Sequence, residues 1–352
     1  MTTLNKLAPL SIEQRRVRKR YIGATFVTCI VLSLIGGTIH VLELGSNRML
    51  DMRDKAGIDL DDEHEHIRAA GEELFRQVDF EFGAEQQGSY YTVAEAEALL
   101  TPEQWAELDT MVVIPAGDFL MGTNRKQSND YNRPQNVVHT DEYKIDKYSV
   151  TNAQYARFVA ATGHRPPLHW KGGKIPEDEL LHPVTMVSWQ NASDYAAWAG
   201  KRLPTEAEWE KAARGTEGNR WPWGNTMEVD RLNTYYSVGS TTPFNAYPNG
   251  ASPFGVMDMV GNVSEWTADD FAPYKGSSAS SDLFTVKRAK EPRQGANKAM
   301  KMAEFEETDE RYKVLRGGSW KSDPFSTATY HRNYAWPHFA SDFFGFRCAQ
   351  SS

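Results

Sequence analysis

The chain has 352 residues, which is enough for one large domain or two ordinary ones. Its formal net charge is −8 and it has no basic stripe with interleaved aromatic residues, so the sequence excludes a general nucleic-acid-binding protein. We therefore expect no nucleic-acid partner. A 12% share of aromatic residues and 26 glycines favour a compact, loop-rich α+β body over a helical bundle.

An uncharged apolar run occupies residues 21–42 near the N-terminus. As a helix it would span roughly 33 Å, the thickness of the hydrocarbon core of a bilayer. Basic residues crowd residues 15–20 before it, and acidic residues outnumber basic ones after it. The positive-inside rule then predicts a cytoplasmic N-terminus at 1–20, a transmembrane helix at 21–42 in contact with lipid, and a periplasmic or extracellular C-terminal domain.

A cleaved signal peptide is the alternative interpretation of this segment. Signal peptides have a shorter apolar region that ends at a small-residue cleavage site. Residues 41–44, Val-Leu-Glu-Leu, offer no such site. An uncleaved, single-pass anchor is favoured.

Residues 43–110 are polar and acidic and are expected to form a helical linker. A helix is predicted over residues 60–80, with apolar spacing at Ile67, Leu74 and Phe75. The histidines of Asp61-Asp-Glu-His-Glu-His66 would lie on different faces of that helix, so a solvated charge run is favoured over a metal site. Thr101-Pro-Glu-Gln104 forms a capping box that predicts a short helix ending at Leu108.

A domain is predicted over residues 111–352, opening with a strand at 111–114 that Pro115 and Gly117 end. Three helices are predicted within it, each with a polar cap before it and a glycine after it. They begin at Thr151, at Ser188 or Asn191, and at Thr205, and they end at Gly163, Gly200 and Gly215. Strands near 314–316 and 344–347 should complete the sheet, and the polar stretch 275–313 is expected to be a surface loop that flanks a cleft or contacts a partner.

Six motifs stand in a fixed order along this domain. They are MVVIPAGDFLMG (111–122), SVTNAQY (149–155), RLPTEAEWE (202–210), WPWGN (221–225), GNVSEW (261–266), and RGGSW (316–320) with GFRC (345–348). In this order they resemble the formylglycine-generating enzyme, or sulfatase-modifying factor, family over about residues 111–349. The resemblance implies an α+β fold, the formylglycine-generating-enzyme variant of the C-type-lectin-like fold, here preceded by one transmembrane helix.

Copper-dependent members of that family carry two cysteines, three and eight residues after the serine of the Arg-Gly-Gly-Ser motif. Counted from Ser319, these positions hold Ser322 and Thr327. A hydroxyl is a hard, high-pKa ligand, whereas Cu(I) prefers a soft thiolate, which can also carry redox chemistry. The chain's two cysteines, Cys29 and Cys348, lie elsewhere. We therefore assign no catalytic residue, expect no copper, and favour a protein without formylglycine-generating activity.

The resemblance also implies a Ca²⁺ site in the segment Asp258 to Glu265. Its ligands would be the backbone carbonyls of Asp258, Gly261 and Val263 and the carboxylate of Glu265, a donor set that suits a hard cation. The alternative is that Glu265 only supports the turn while Trp266 lies in the core.

Polar and aromatic residues after the degenerate positions are candidates for a ligand-binding cleft, because this part of the family fold lines the substrate cleft. Imidazole, guanidinium and phenol groups can bind a metal or an anion or transfer protons, but their spacing favours an ordinary ligand-contacting surface. The candidates are Ser319, Trp320, His331, Arg332, Tyr334, Trp336 and His338.

Two functions fit these expectations. The first is a membrane-anchored binding, assembly or accessory subunit of a membrane or periplasmic protein complex, with a protein partner in the old substrate cleft. The alternative is an oxidase or maturation enzyme of the same superfamily that uses residues other than cysteine. Fold resemblance does not decide between them.

Overall fold

The computed structural model describes residues 58–59, 90–289, 305–307 and 309–352. All of them belong to one compact unit, which extends from Gly57 to Ser352. The predicted span at 21–42 and the predicted helix at 60–80 lie outside this part of the chain. Within it, no helix is both long enough and apolar enough to cross a bilayer.

The described residues form five α-helices, each of which begins at a capping box. In a capping box, the cap residue and the residue three positions later each accept a hydrogen bond through the side chain from the backbone N–H of the other. These bonds satisfy N–H groups that the first turn of a helix leaves without partners. The predicted starts are confirmed, with Ser188 rather than Asn191 as the cap of the fourth helix. The helices are α1 (Val93–Leu99), α2 (Pro102–Leu108), α3 (Asn152–Thr162), α4 (Trp189–Trp198) and α5 (Glu206–Arg214).

Helices α1 and α2 belong to the folded body, although they fall in the segment predicted to be a linker. Ala96, Trp105 and Leu108 are buried in the main hydrophobic core. The Arg157 guanidinium of α3 lies 3.2 Å from the centre of a Trp105 ring. The compact domain therefore includes residues well before the predicted boundary at 111, because their apolar side chains complete its core.

Strands in the described residues are short and pair in several small sheets. They are β1 (Ile58–Asp59), β2 (Tyr90–Tyr91), β3 (Met111–Ile114), β4 (Gly117–Met121), β5 (Asn136–Thr140), β6 (Tyr143–Asp146), β7 (Ile175–Pro176), β8 (Ser264–Asp270), β9 (Lys287–Ala289), β10 (Phe305–Glu307), β11 (Lys313–Arg316), β12 (Arg332–Ala335), β13 (Phe339–Ala340), β14 (Phe344–Phe346) and β15 (Ala349–Ser351).

The central sheet has the strand order β12-β11-β8-β14, with β14 parallel to β8 and the other pairs antiparallel. Trp266 of β8 faces Leu315 of β11 and Phe346 of β14 in the register. This confirms the prediction that the strands near 314–316 and 344–347 complete the sheet. A second sheet has the order β15-β6-β3, and the remaining strands form two-stranded pairs.

The main core lies between α3, α4 and the central sheet. Tyr155 of α3 and Tyr195 of α4 stack with ring centroids 5.7 Å apart, and both rings contact Phe346. Two residues of these helices lie outside this core. Thr162 is exposed and Trp198 is 42% exposed, because both stand at the last turn of their helices, beyond the edge of the core.

The stretch 275–313 is more structured than the predicted surface loop. Phe284 and Val286 are buried, and Phe284 packs with Phe271 and Val314 in a separate apolar cluster. Strands β9 and β10 pair antiparallel. Apolar residues within this mostly polar stretch thus pack its first part against the domain.

Candidate ligand-binding cleft

Two adjacent glycines shape the loop that carries the degenerate positions. Gly317 and Gly318 have φ angles of 90° and 68°, a region that side chains disfavour. A Cβ at Gly317 would lie 3.0 Å from the Met259 carbonyl oxygen, and one at Gly318 would lie 3.0 Å from the Ser326 carbonyl oxygen. The Gly-Gly pair therefore allows a tight turn that brings Ser319 and the following residues against the 323–327 segment.

Ser322 and Thr327 border the same point in this turn. A Cβ at Gly318 would lie 3.1 Å from Ser322 Oγ and 3.2 Å from Thr327 Cγ2. Ser322 Oγ accepts a hydrogen bond from the Ser319 N–H (2.9 Å). The Thr327 hydroxyl donates to the Pro324 carbonyl (2.7 Å) and lies 3.4 Å from Trp221 Nε1. Both hydroxyls act as structural hydrogen-bonding groups of the loop.

Cys348, the one cysteine in the described residues, offers no substitute thiol. Its side chain is 0% exposed, and its backbone N–H donates to Asp146 (2.9 Å). Burial raises the pKa of the thiol well above its ordinary value, and the nearby Asp146 carboxylate adds to the shift. A raised pKa keeps the sulfur protonated and therefore unreactive.

Trp320 and two tyrosines that sequence analysis missed form one wall beside this loop. Tyr235 and Tyr236 have positive φ angles of 53° and 57°, which are uncommon for bulky residues. Their N–H groups donate to the carbonyls of Ser322 (2.9 Å) and Trp320 (2.7 Å). The Tyr236 ring meets Trp320 edge-on at 5.4 Å. Backbone hydrogen bonds thus hold a strained conformation that presents both rings to solvent.

Four apolar or aromatic side chains on this loop and on the neighbouring 235–238 segment are exposed. Tyr235 is 68% exposed, Tyr236 53%, Val238 53% and Phe325 71%. Exposed aromatic groups that are held rigidly are typical of surfaces that bind other molecules. We refer to Tyr235, Tyr236, Val238 and Phe325 as the aromatic rim.

Arg332 is not part of this surface, contrary to the prediction. It is 1% exposed, and it donates to both oxygens of Glu206 through Nε (2.7 Å) and Nη2 (3.0 Å). Arg316 donates to the same carboxylate and to Glu210 (2.5 Å). The charged pairs are buried together, so Arg332 fixes the start of β12 instead of meeting a ligand.

The predicted cleft residues form two groups, one in the loop at 319–327 and one at 331–338. His331 is largely buried beside Asn132, and burial lowers its pKa to about 4, with a further contribution from the Arg316 charge. Tyr334 stacks on Phe271 with centroids 4.2 Å apart. Trp336 stacks on His338 (5.8 Å) just after the end of β12. The structure brings together Ser319, Trp320, Ser322 and Thr327, while the candidates at 331–338 contact other parts of the domain.

Glu265, the predicted calcium ligand, already has four hydrogen-bond donors. Its carboxylate accepts from Ser149 Oγ (2.6 Å), Trp209 Nε1 (2.7 Å) and Arg347, through Nε (2.7 Å) and Nη2 (2.8 Å). Arg347 Nη2 also lies 3.4 Å from the Asp258 carbonyl oxygen. The guanidinium thus supplies the positive charge, and these residues do not fit a cation unless Arg347 moves.

The remaining predicted ligands, Gly261 and Val263, lie in the same buried turn. Across the described residues, no group of three or more histidine, cysteine or acidic side chains is arranged to hold a metal ion. Calcium binding at this turn stays a prediction from the sequence resemblance, and the hydrogen bonding of Glu265 argues against it.

Removal of calcium gives a direct test. Because Arg347 already neutralises Glu265, we expect the same melting temperature in excess Ca²⁺ and in excess chelator. A ligand bound only to the folded state would instead stabilise it by about 2.7 kcal/mol at a hundredfold excess over its Kd. A melting temperature that rises with Ca²⁺, together with calcium in the purified protein, would show that the cation displaces the guanidinium.

The sequence matches the family described as "Sulfatase-modifying factor enzyme 1-like domain" over residues 96–352. The match covers most of the chain, and the protein therefore belongs to this family. Its start at residue 96 agrees with the packing of α1 and α2 into the core.

Proteins similar to this chain have names that describe different activities. It is 29% identical over 305 residues to the "Inactive C-alpha-formylglycine-generating enzyme 2" of Mus musculus, covering 70% of this chain and 87% of the mouse protein. It is 32% identical over 275 residues to the "Hercynine oxygenase" of Mycolicibacterium smegmatis, covering 68% of this chain and 61% of that protein.

The chain is also 34% identical over 258 residues to the "Serine/threonine-protein kinase pkn1" of Chlamydia caviae, covering 68% of this chain but 38% of that protein. It thus spans about two fifths of the length of the chlamydial relatives that it matches. Among solved structures, the PvdO protein of Pseudomonas aeruginosa has a TM-score of 0.52 and 26% identity, covering 76% of this chain and all of that one. This supports the fold that the sequence predicts.

Proposed function

We propose that this protein is a membrane-anchored family member without formylglycine-generating activity, which binds a polypeptide as an assembly or accessory subunit outside the cytoplasm. The observation that carries the proposal is the pair of hydroxyls at Ser322 and Thr327, which stand in place of the family's thiols and bond within their own loop. An alcohol neither holds Cu(I) tightly nor forms a disulfide.

The aromatic rim supports a binding role. Tyrosine and tryptophan are enriched among residues that dominate the energy of protein interfaces. Tyr235 and Tyr236 are presented by strained backbone, which persists where surrounding structure stabilises it and which clusters at functional sites. The similarity to an inactive mouse relative is consistent with a family member that keeps the fold without the activity.

Purification of the full chain in mild detergent tests the binding role. We expect a partner protein to co-purify and to be lost when both tyrosines are replaced by asparagine, a residue that tolerates positive φ. The matched control is Val137→Ser, which alters an equally exposed apolar side chain on β5. A partner retained by the double variant would show that the rim does not form the interface.

The membrane anchor is part of the proposal and rests on residues 21–42. We expect the protein to remain membrane-bound at its full mass after high-salt washing, with its C-terminal domain accessible to protease from outside the cytoplasm. Recovery of a soluble form that begins beyond residue 42 would instead show that the segment is a cleaved signal.

A second candidate function is oxidation or protein maturation through residues other than cysteine, which the similarity to a hercynine oxygenase favours. That activity would require a redox centre bound to the protein. Iron and copper analysis of the purified full chain, followed by oxygen-consumption measurements, distinguishes the two. Stoichiometric metal with oxygen uptake would favour the oxidase.

A further inference from the structure

Arg220 is held beside the loop that carries Thr327. Its backbone N–H donates to Asn225 Oδ1 (3.1 Å), and its carbonyl oxygen accepts from the N–H of Thr329 (2.9 Å). The next residue, Trp221, is buried and places its indole nitrogen 3.4 Å from Thr327 Oγ1. The position of Arg220 at the cleft is therefore fixed from both sides.

The guanidinium of Arg220 lies near two aromatic rings, of which Trp221 is buried and Phe325 is exposed. Its Cζ atom is 4.4 Å from the centre of the Trp221 ring and 5.6 Å from that of Phe325. Phe325 belongs to the aromatic rim. A guanidinium that stacks on aromatic rings still directs its N–H groups outward in the plane of the fork, where an oxyanion can accept two hydrogen bonds.

Arg220 forms no ion pair with any residue that the structure describes, and its Nε is buried without a hydrogen-bond partner. Arg231 differs from Arg220 in this respect. It also lies over a tryptophan (Trp223, 5.8 Å), but its Nε pairs with Glu228 at 2.7 Å. Within the described residues the Arg220 guanidinium thus has no acceptor, and an anion can supply one through a charge-assisted hydrogen bond.

We propose that Arg220 binds an oxyanion carried by a polypeptide ligand, either a carboxylate or a phosphorylated side chain, while the aromatic rim contacts the apolar part of the same ligand. The inference rests on the proposed function and specifies the chemistry that the cleft recognises. Arginine beside exposed tyrosines combines residue types that are enriched in interface hot spots.

Small probes test the anion site without a polypeptide. The full chain in detergent is titrated with benzoate, phenyl phosphate and neutral benzamide, and the arginine Nε–H signals are followed by NMR. We expect a saturable shift of the Arg220 signal, identified by its loss in Arg220→Gln, with one or both anions and not with benzamide. Tryptophan fluorescence should show affinity at least about tenfold weaker in Arg220→Gln, since a charge-assisted hydrogen bond is lost.

Arg231→Gln is the matched control and should bind the anion as the wild type does. Equal binding by Arg220→Gln, or no saturable shift with either anion, would overturn the inference. A preference for benzoate indicates a carboxylate, and a preference for phenyl phosphate indicates a phosphorylated side chain.

Selection from a random peptide library, carried out with and without phosphorylated residues, tests the polypeptide. Acidic or phosphorylated residues should be enriched by the wild type and by Arg231→Gln but not by Arg220→Gln. Peptides selected without any anionic preference would refute this inference and leave the proposed function standing. Anion binding at Arg220 with no peptide selected would instead refute the polypeptide ligand and the proposed function.

Discussion

Replacement of Arg316 by methionine is expected to lower the free energy of unfolding by about 3–5 kcal/mol, because one partner of a buried ion pair is removed and uncompensated charge remains. The Arg316 side chain is 0% exposed and contacts Glu206 at 3.1 Å and Glu210 at 2.5 Å. Urea unfolding of the variant and the wild type measures the difference.

The control for this variant is Arg231→Met. Arg231 pairs with Glu228 at 2.7 Å, but the two side chains are 31% and 39% exposed. Exposed pairs contribute at most about 1 kcal/mol, so this change should have little effect. Similar losses in the two variants would show that burial does not set the strength of the Arg316 pairs.

Acidification from pH 7 to pH 4 is expected to remove the stability that two histidines contribute in their neutral form. Burial lowers the pKa of His169 and of His331 to about 4 from an ordinary value of 6.5. A depressed histidine pKa contributes stability above pH 6.5, and this stability is lost as the pH falls towards 4, because only the unfolded chain takes up the proton. Each histidine accounts for about 3 kcal/mol.

His331→Gln isolates one histidine from the carboxyl groups of Glu179 and Asp258, because burial raises the pKa values of both carboxyls and they act in the opposite direction. The variant should lose about 3 kcal/mol less stability than the wild type between pH 7 and pH 4. The control is His139→Gln, whose imidazole is 60% exposed. An unchanged pH dependence in His331→Gln would show that His331 is not buried in its neutral form.

Helices and sheet partners were predictable where the signal is local. Capping boxes at Thr101, Thr151 and Thr205 satisfy backbone groups within three residues, so the sequence alone locates the start of a helix. The resemblance also identified the positions of Ser322 and Thr327, and in the structure both residues border Gly318.

Features that depend on distant residues were missed. The bond between Arg332 and Glu206 joins residues 126 positions apart, so no local pattern shows that Arg332 is buried. The positive φ angles of Tyr235 and Tyr236 arise from hydrogen bonds to a loop almost ninety residues later, where glycine or asparagine would be the usual signal. Glu265 matched a calcium ligand in type, but its pairing with Arg347 depends on the tertiary fold.

We propose that the 319–327 loop has lost the copper chemistry of the formylglycine-generating enzymes, and the reaction itself can be tested on a peptide. A sulfatase-type Cys-x-Pro-x-Arg peptide is incubated with the copper-treated wild-type protein and analysed by mass spectrometry. Because Ser322 and Thr327 provide no thiolate and Cys348 is buried, we predict an unchanged cysteine. Conversion of that cysteine to an aldehyde, seen as formylglycine in the peptide, would show that the protein keeps formylglycine-generating activity.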